Sequence, residues 1–155
     1  MLRSATVSDL EQVASWIVTA RDCELWAGWR VSFPIEPASL PLAIGFSETN
    51  AFVLIDDNEL VAFGQLLKKS SGRGHLARLI VNPSVRKRGY GETLVRALRD
   101  RAHLEGCERI SLNVDASNVA AVALYSKLGF MDAPRPSDEP AATGTRYMEM
   151  HSPAA

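Results

Sequence analysis

HLARLIVNPSVRKRGYGETLVRAL, residues 75–98, joins an apolar strand, a basic turn with two glycines and the start of a helix. The first N–H groups of a helix lack intrahelical acceptors, and the aligned peptide dipoles add partial positive charge there. The backbone from Gly89 to Thr93 therefore offers ready donors to a phosphate. Gly89 and Gly91 let the main chain approach such a group closely. Arg86, Lys87 and Arg88 stand just before the turn, where guanidinium forks and an ammonium can hold further phosphate oxygens. An arbitrary RKRG string is more often a solvated basic turn; the strand before it and the helix after it favour an anion cradle.

Downstream, Leu94, Val95, Leu98 and Ala102 recur with helical period and Gly106 stops the helix. Arg109 to Asp115 alternates Ile110, Leu112 and Val114 with polar residues, as a half-buried strand does. Asn118 is a good N-cap for a helix over Val119 to Leu128, and Gly129 with Phe130 fits a glycine stop and its hydrophobic contact. PRPSDEPAATG, residues 134–144, reads as a mobile loop, and Thr145 to Met150 alternates as a last strand.

Upstream, Leu2 to Ala5 reads as a short strand. Ser8 and Glu11 spell a capping box for a helix through Leu10, Val13, Ala14, Ile17 and Val18 that is expected to reach about Ala20. RDCELWAGWRVSFPIEP, residues 21–37, is an aromatic-rich insert broken by Gly28, Pro34 and Pro37, followed by a short helix from Ser39 to Phe46. Ala51 to Ile55 and Leu60 to Leu67 are strand-forming runs joined through Asp56-Asp57-Asn58-Glu59, which supplies turn chemistry for an antiparallel hairpin. KKSSGRG leads into a strand over His75 to Val81, which Pro83 closes.

A chain of 155 residues is expected to form one domain, residues 1–155, with one core. Seventeen Lys plus Arg against eighteen Asp plus Glu leave a formal charge of −1, so no global positive field draws the chain to nucleic acid or anionic lipid. Cys23 and Cys107 lack metal-ligand spacing and read as reduced, packed thiols of a cytoplasmic protein with no metal site. The N-terminus carries no signal pattern, and no apolar run approaches the roughly 20 residues of a membrane helix.

The order of elements and two motifs resemble the GNAT superfamily of acyl-CoA-dependent N-acyltransferases over nearly the whole chain. One motif is the R/Q-x-x-G-x-G/A turn, Arg86-Lys87-Arg88-Gly89-Tyr90-Gly91, after a strand ending Leu79-Ile80-Val81. The other is NVDASNVAAVALYSKLGF, Asn113 to Phe130, which looks much like the corresponding segment of ribosomal-protein alanine N-acetyltransferases. The resemblance implies an α/β fold with a mixed, mostly antiparallel sheet of about six to seven strands flanked by about four helices. It implies acetyl-CoA as cosubstrate, with its pyrophosphate on the turn formed by Arg86, Lys87, Arg88, Gly89, Tyr90, Gly91, Glu92 and Thr93. The pantetheine arm would then pair like an added strand with the main chain of Leu79, Ile80 and Val81, where the family's two central strands splay apart.

Within this resemblance Asn118 matches an asparagine that contacts coenzyme A, although a helix cap is an equally good reading. Tyr125 matches the tyrosine that protonates the departing thiolate. A phenol of pKa near 10 stays protonated at neutral pH, where a thiolate of pKa about 8.5 benefits from a nearby donor. The alternative for Tyr125 is a core tyrosine. The reaction implied is direct attack of a neutral primary amine, on a small molecule or a peptide N-terminus, with a backbone N–H near Val81 steadying the oxyanion. Asn113 stands where the ribosomal-protein enzymes carry a catalytic glutamate, and it cannot take a proton. His75 occupies the position at which histone-type members carry theirs, and an imidazole of ordinary pKa near 6.5 suits that task; an exposed histidine opening a strand is the competing reading. Asp22, Glu24 and Asp115 are further candidates for the base, after His75.

Trp26, Trp29 and Phe33 are candidates to line the acceptor pocket, and equally candidates for core packing. Many relatives pair as homodimers, but nothing in this sequence fixes a partner surface. A dinucleotide-binding oxidoreductase is disfavoured because Leu94 replaces the third glycine and seven residues separate Val81 from Gly89. No G-x-x-x-x-G-K-[ST] loop is present. A non-catalytic acyl-CoA-binding sensor or interaction module of the same fold is the remaining alternative.

Overall fold

A computed structural model describes residues 1–140 and 144–151. Seven strands have the hydrogen-bonded order β1-β2-β3-β4-β5-β7-β6, and five α-helices accompany them among the described residues. The chain clusters into two compact units, Met1–Gln65 with Arg78–Leu94, and Leu66–Ala77 with the chain from Val95 onward.

The first unit begins with β1 (Leu2–Ser4), antiparallel to β2 (Ala51–Asp56), which pairs in turn with β3 (Glu59–Lys68). Asp57 and Asn58 link β2 to β3 with φ of 51° and 62°, the double left-handed geometry that matches the twist of a hairpin. The cap of helix α1 (Val7–Ser15) is Thr6, two residues before the expected one. Thr6 accepts from the Asp9 N–H at 3.3 Å and Asp9 accepts from the Thr6 N–H at 2.8 Å, so the reciprocal box is Thr6/Asp9 and not Ser8/Glu11. Arg3 adds a two-pronged bond to the same Asp9 carboxylate at 2.8 and 3.1 Å, an interaction that Glu11 does not make.

The expected run to Ala20 divides in two. Helix α1 ends at Ser15, and α2 (Ala20–Ala27) opens under a Thr19 cap that accepts from the Asp22 N–H at 3.0 Å. The aromatic insert thus contains a fifth helix whose buried face is Cys23, Trp26 and Ala27; the breakers follow it, Gly28 ending it with φ 59°. A 3₁₀ turn at Pro37–Ser39 and α3 (Leu40–Ala43) occupy the place of the expected short helix. Leu10, Val13, Trp16, Ile17, Trp26, Leu40, Val53 and Phe63 form the core of this unit.

The second unit holds the first residues of β4 (Arg73–Val81), parallel to β5 (Arg109–Asp115) over Arg73↔Arg109 to Leu76↔Leu112. Strand β5 pairs antiparallel along its whole length with β7 (Thr145–His151), which also carries the short edge strand β6 (Met131–Asp132). Helix α4 (Tyr90–Leu104) contributes Val95, Leu98 and Ala102 to the buried set with Leu76, Ile110, Leu112, Val114 and Met148. Helix α5 (Val119–Lys127) follows the Asn118 cap. Both cysteines are buried and unpaired. Residues 141–143 of the Pro-rich loop lie outside the described residues. No described helix is long and apolar enough to cross a membrane.

Candidate functional site

The first unit carries the basic turn. Beyond Val81, the Asn82 carboxamide accepts from the Ser84 N–H at 3.0 Å and its hydroxyl at 2.9 Å, turning the chain through Pro83–Val85. Lys87 then takes φ 65°, Arg88 returns to negative φ, and Gly89 takes φ 83° before α4 opens at Tyr90. Successive residues of opposite hand turn their N–H groups toward one concavity, the arrangement of an anion-binding nest. Here it runs into the first turn of a fifteen-residue helix, where N–H groups lack intrahelical partners.

The Gly89 carbonyl is held from the other side, accepting from the Thr93 N–H at 3.1 Å and its hydroxyl at 3.0 Å. A Cβ built on Gly89 would meet no atom within 4 Å, so the space over the turn is open. Arg86, Lys87 and Arg88 are exposed around it, with the Arg86 Nε donating to the Val81 carbonyl at 3.3 Å. The Tyr90 hydroxyl donates to Asp56 at 2.5 Å and ties the helix start to the β2–β3 hairpin, and this bond raises its pKa. Glu92 and Gly91 are half-buried in the same first turn.

Leu79, Ile80 and Val81 are half-buried at the end of β4. They follow Arg78, a non-glycine residue with φ 51° inside a strand, and the ladder to β5 has already ended at Leu76. The three aromatic candidates differ in exposure. Trp26 is only 8% exposed, lies 6.3 Å from the Phe63 ring and donates its indole N–H to the Arg78 carbonyl at 2.8 Å, so its surface is spent on the core. Trp29 is 82% exposed under the Arg30 guanidinium, and Phe33 is 39% exposed.

In the second unit Tyr125 lies on α5 with its ring edge-on to Phe130 at 5.9 Å. Tyr125 is half-buried, and desolvation pushes its phenol up to about 12, so it stays protonated at neutral pH. Asn118 accepts from the Ala121 N–H at 3.3 Å and is a genuine helix cap. Asp115 accepts from the Ser117 N–H at 2.9 Å and from its hydroxyl, forming the turn that leads into α5. Asp22 sits in the first turn of α2, and Glu24 is paired with Arg21 at 3.3 Å.

His75 is not at an exposed strand end. It is 4% exposed, inside a polar cluster that local sequence patterns did not reveal. Its Nδ1 lies 2.8 Å from the Ser111 hydroxyl and its Nε2 3.3 Å from Glu139 Oε1. Arg73, 1% exposed, donates to Ser111 at 2.6 Å, to Glu139 at 3.2 Å and to Asp138 at 2.8 Å. Burial works against the Arg73 charge, but Tyr147, Asp138 and Glu139 outweigh it and raise its pKa. Asn113 donates to Glu139 Oε1 at 3.2 Å and accepts from Arg135 at 2.5 Å. The Pro-rich loop is therefore anchored in its described part by Arg135, Asp138 and Glu139. Residues 73, 75, 111 and 113 alternate along two strands, a spacing that hinted at one shared polar face; nothing local marked Glu139.

The sequence model of the acetyltransferase (GNAT) family matches residues 20–130. The uncharacterized N-acetyltransferase YobR of Bacillus subtilis is 37% identical over 79 residues, covering 51% of this chain and 32% of that protein. Among solved structures, the ribosomal-protein-S18-alanine N-acetyltransferase from Escherichia coli is 26% identical with a TM-score of 0.69, over 100% of this chain and 95% of that one. The spermidine N-acetyltransferase from Vibrio cholerae, in complex with CoA and spermine, has a TM-score of 0.76 at 19% identity over 98% of this chain and 95% of that one, a likeness of fold alone. The chain spans between about a third and about a half of the length of the curated relatives it matches.

Proposed function

The chain belongs to the acetyltransferase (GNAT) family, and from that premise we propose that it transfers an acetyl group from acetyl-CoA to a primary amine by direct attack. The observation that carries this reading is the alternation of hand across Lys87, Arg88 and Gly89 at the mouth of α4, with open space over the glycine. Such a concavity suits the pyrophosphate of the cosubstrate, with Arg86, Lys87 and Arg88 as outer contacts and the first-turn amides as inner ones. The main chain of Leu79, Ile80 and Val81 is proposed to pair with the pantetheine arm. The family match runs through both compact units, which supports their working as one acetyltransferase domain.

In the proposed reaction the acceptor ammonium first loses a proton, leaving a nitrogen lone pair that attacks the thioester carbonyl. The C–N bond forms and the C–S bond breaks. The thiolate takes a proton from the Tyr125 phenol, which regains one from the nitrogen of the new amide. His75 is the proposed proton acceptor, receiving the proton at Nε2 beside the Glu139 carboxylate. Asn118 is proposed to contact coenzyme A in addition to capping α5. The acceptor is a small molecule or a peptide N-terminus.

The burial of His75 and the absence of a carboxylate at Asn113 favour a second reading, an acyl-CoA-binding module without turnover. One experiment decides between them. Acetyl-CoA at about a hundred times its Kd is expected to stabilise the protein by about 2.7 kcal/mol under either reading. A panel of amines, peptides and polyamines scored by release of free thiol then separates them: release with any acceptor supports the enzyme, and stabilisation without release supports the module. No stabilisation at all refutes both.

A further inference from the structure

We infer that Trp26 is a positioning residue for the end of β4, holding the Arg78 carbonyl so that the main chain of Leu79, Ile80 and Val81 keeps one fixed direction. This rests on the proposed pairing of that segment with the acyl cofactor.

The reasoning starts from Arg78. A residue with a Cβ pays sterically for φ 51°, and such a conformation persists inside a strand only where its surroundings over-determine it. Two hydrogen bonds do so. The Trp26 indole N–H, from α2, donates to the Arg78 carbonyl at 2.8 Å. The Arg78 Nε donates to Gln65 Oε1 on β3. Gln65 is itself fully buried and fixed by its own donations to the Ile44 carbonyl at 3.1 Å and to Asn50 at 3.3 Å. Two residues further on, Ile80 packs against the core that contains Trp26 and Phe63.

A left-handed residue in a strand re-aims everything after it. The carbonyl of Arg78 belongs to the peptide plane whose N–H is that of Leu79, so fixing the one orients the other. An aromatic side chain that only filled the core would not need a polar edge; the indole is the bulky ring that fills the core and also carries a donor N–H. The sequence offered Trp26 as a lining residue of the acceptor pocket. The geometry assigns it to the cofactor's strand.

Trp26→Phe keeps most of the ring packing and removes the donor. The expected result is amide exchange at least about tenfold faster at Leu79 to Val81, with acetyl-CoA Kd weakened about tenfold, as for a carbonyl left without its partner. Glycine adopts positive φ without steric cost. Trp26→Phe with Arg78→Gly should therefore return the Kd to within about threefold of the parent, which a general loss of core packing would not permit. Unchanged exchange and affinity in Trp26→Phe, or no recovery in the double variant, overturns the inference. If Trp26→Phe does not fold, Arg78→Gly alone decides. Affinity within about threefold of the parent supports a role carried by the backbone, and a tenfold loss overturns it. Should the parent protein not bind acetyl-CoA, the proposed function fails, and amide exchange still tests the clamp by itself.

Discussion

Replacing Gly89 by alanine tests the cradle with a magnitude fixed in advance. At φ 83° an L side chain costs about 1–2 kcal/mol, while alanine gains roughly 0.4–1 kcal/mol by restricting the unfolded chain. The added Cβ meets nothing within 4 Å, so no clash is added to this balance. The net loss is about 1 kcal/mol, a fall in Tm of about 2–4 °C for a chain of this size. An effect on ligand is expected as well, because alanine disfavours the left-handed backbone at this position on which the nest depends.

A tenfold weaker Kd is expected. At an acetyl-CoA concentration a hundred times the parent Kd, the parent gains about 2.7 kcal/mol and the variant only about 1.4 kcal/mol. Denaturant midpoints measured with and without acetyl-CoA read both quantities, since equal slopes show that the exposed surface is unchanged. An acetylated pantetheine fragment without phosphate serves as the control and should bind parent and variant alike. Equal protection of both proteins by acetyl-CoA would refute the cradle, and a destabilisation beyond about 3 kcal/mol would refute the open space over Gly89.

Tyr125→Phe should lower turnover while leaving protection by acetyl-CoA intact, and untouched turnover would remove Tyr125 as the acid. The folded phenol titrates near 12 against an unfolded value near 10. The parent is therefore expected to lose stability, on the order of 2–3 kcal/mol, as pH rises from about 10 through 12 and the unfolded chain ionises first, an alkaline loss that the phenylalanine variant escapes. Arg73→Met leaves Glu139 buried beside no guanidinium and should cost about 3–5 kcal/mol in chemical denaturation, whereas Arg73→Met with Glu139→Gln should cost clearly less; equal losses would show that the ion pair is not what the cluster relies on. His75→Ala should depress turnover more at low pH than at high pH, because hydroxide and free amine partly replace a base, and a parallel pH–rate profile in both proteins would take His75 out of the reaction.

Much of the chain was legible locally. The Asp57-Asn58 hairpin, the Asn118 cap, the Gly106 stop and the whole of β5 are each decided by residues within a few positions of one another, so their chemistry lies in the string. Local reading failed at the N-terminus because two capping patterns competed. Thr6/Asp9 prevailed with the help of Arg3 from β1, and Thr19 cut an apolar period that otherwise ran on. The acid cluster was less legible still: Arg73 and His75 lie two residues apart on one face of β4, but Glu139 reaches them from a loop whose composition predicts only turn and solvent.

The amino-acid order by itself determined the basic turn, its glycine and the helix behind it, since backbone handedness and orphan N–H groups are properties of a few consecutive residues. Tertiary structure alone decided that Trp26 would face the Arg78 carbonyl and that His75 would be enclosed by Ser111 and Glu139. Those partners meet only when strands and loops far apart in the chain pack and expel water, and a buried donor or charge then takes whatever partner that packing brings within reach.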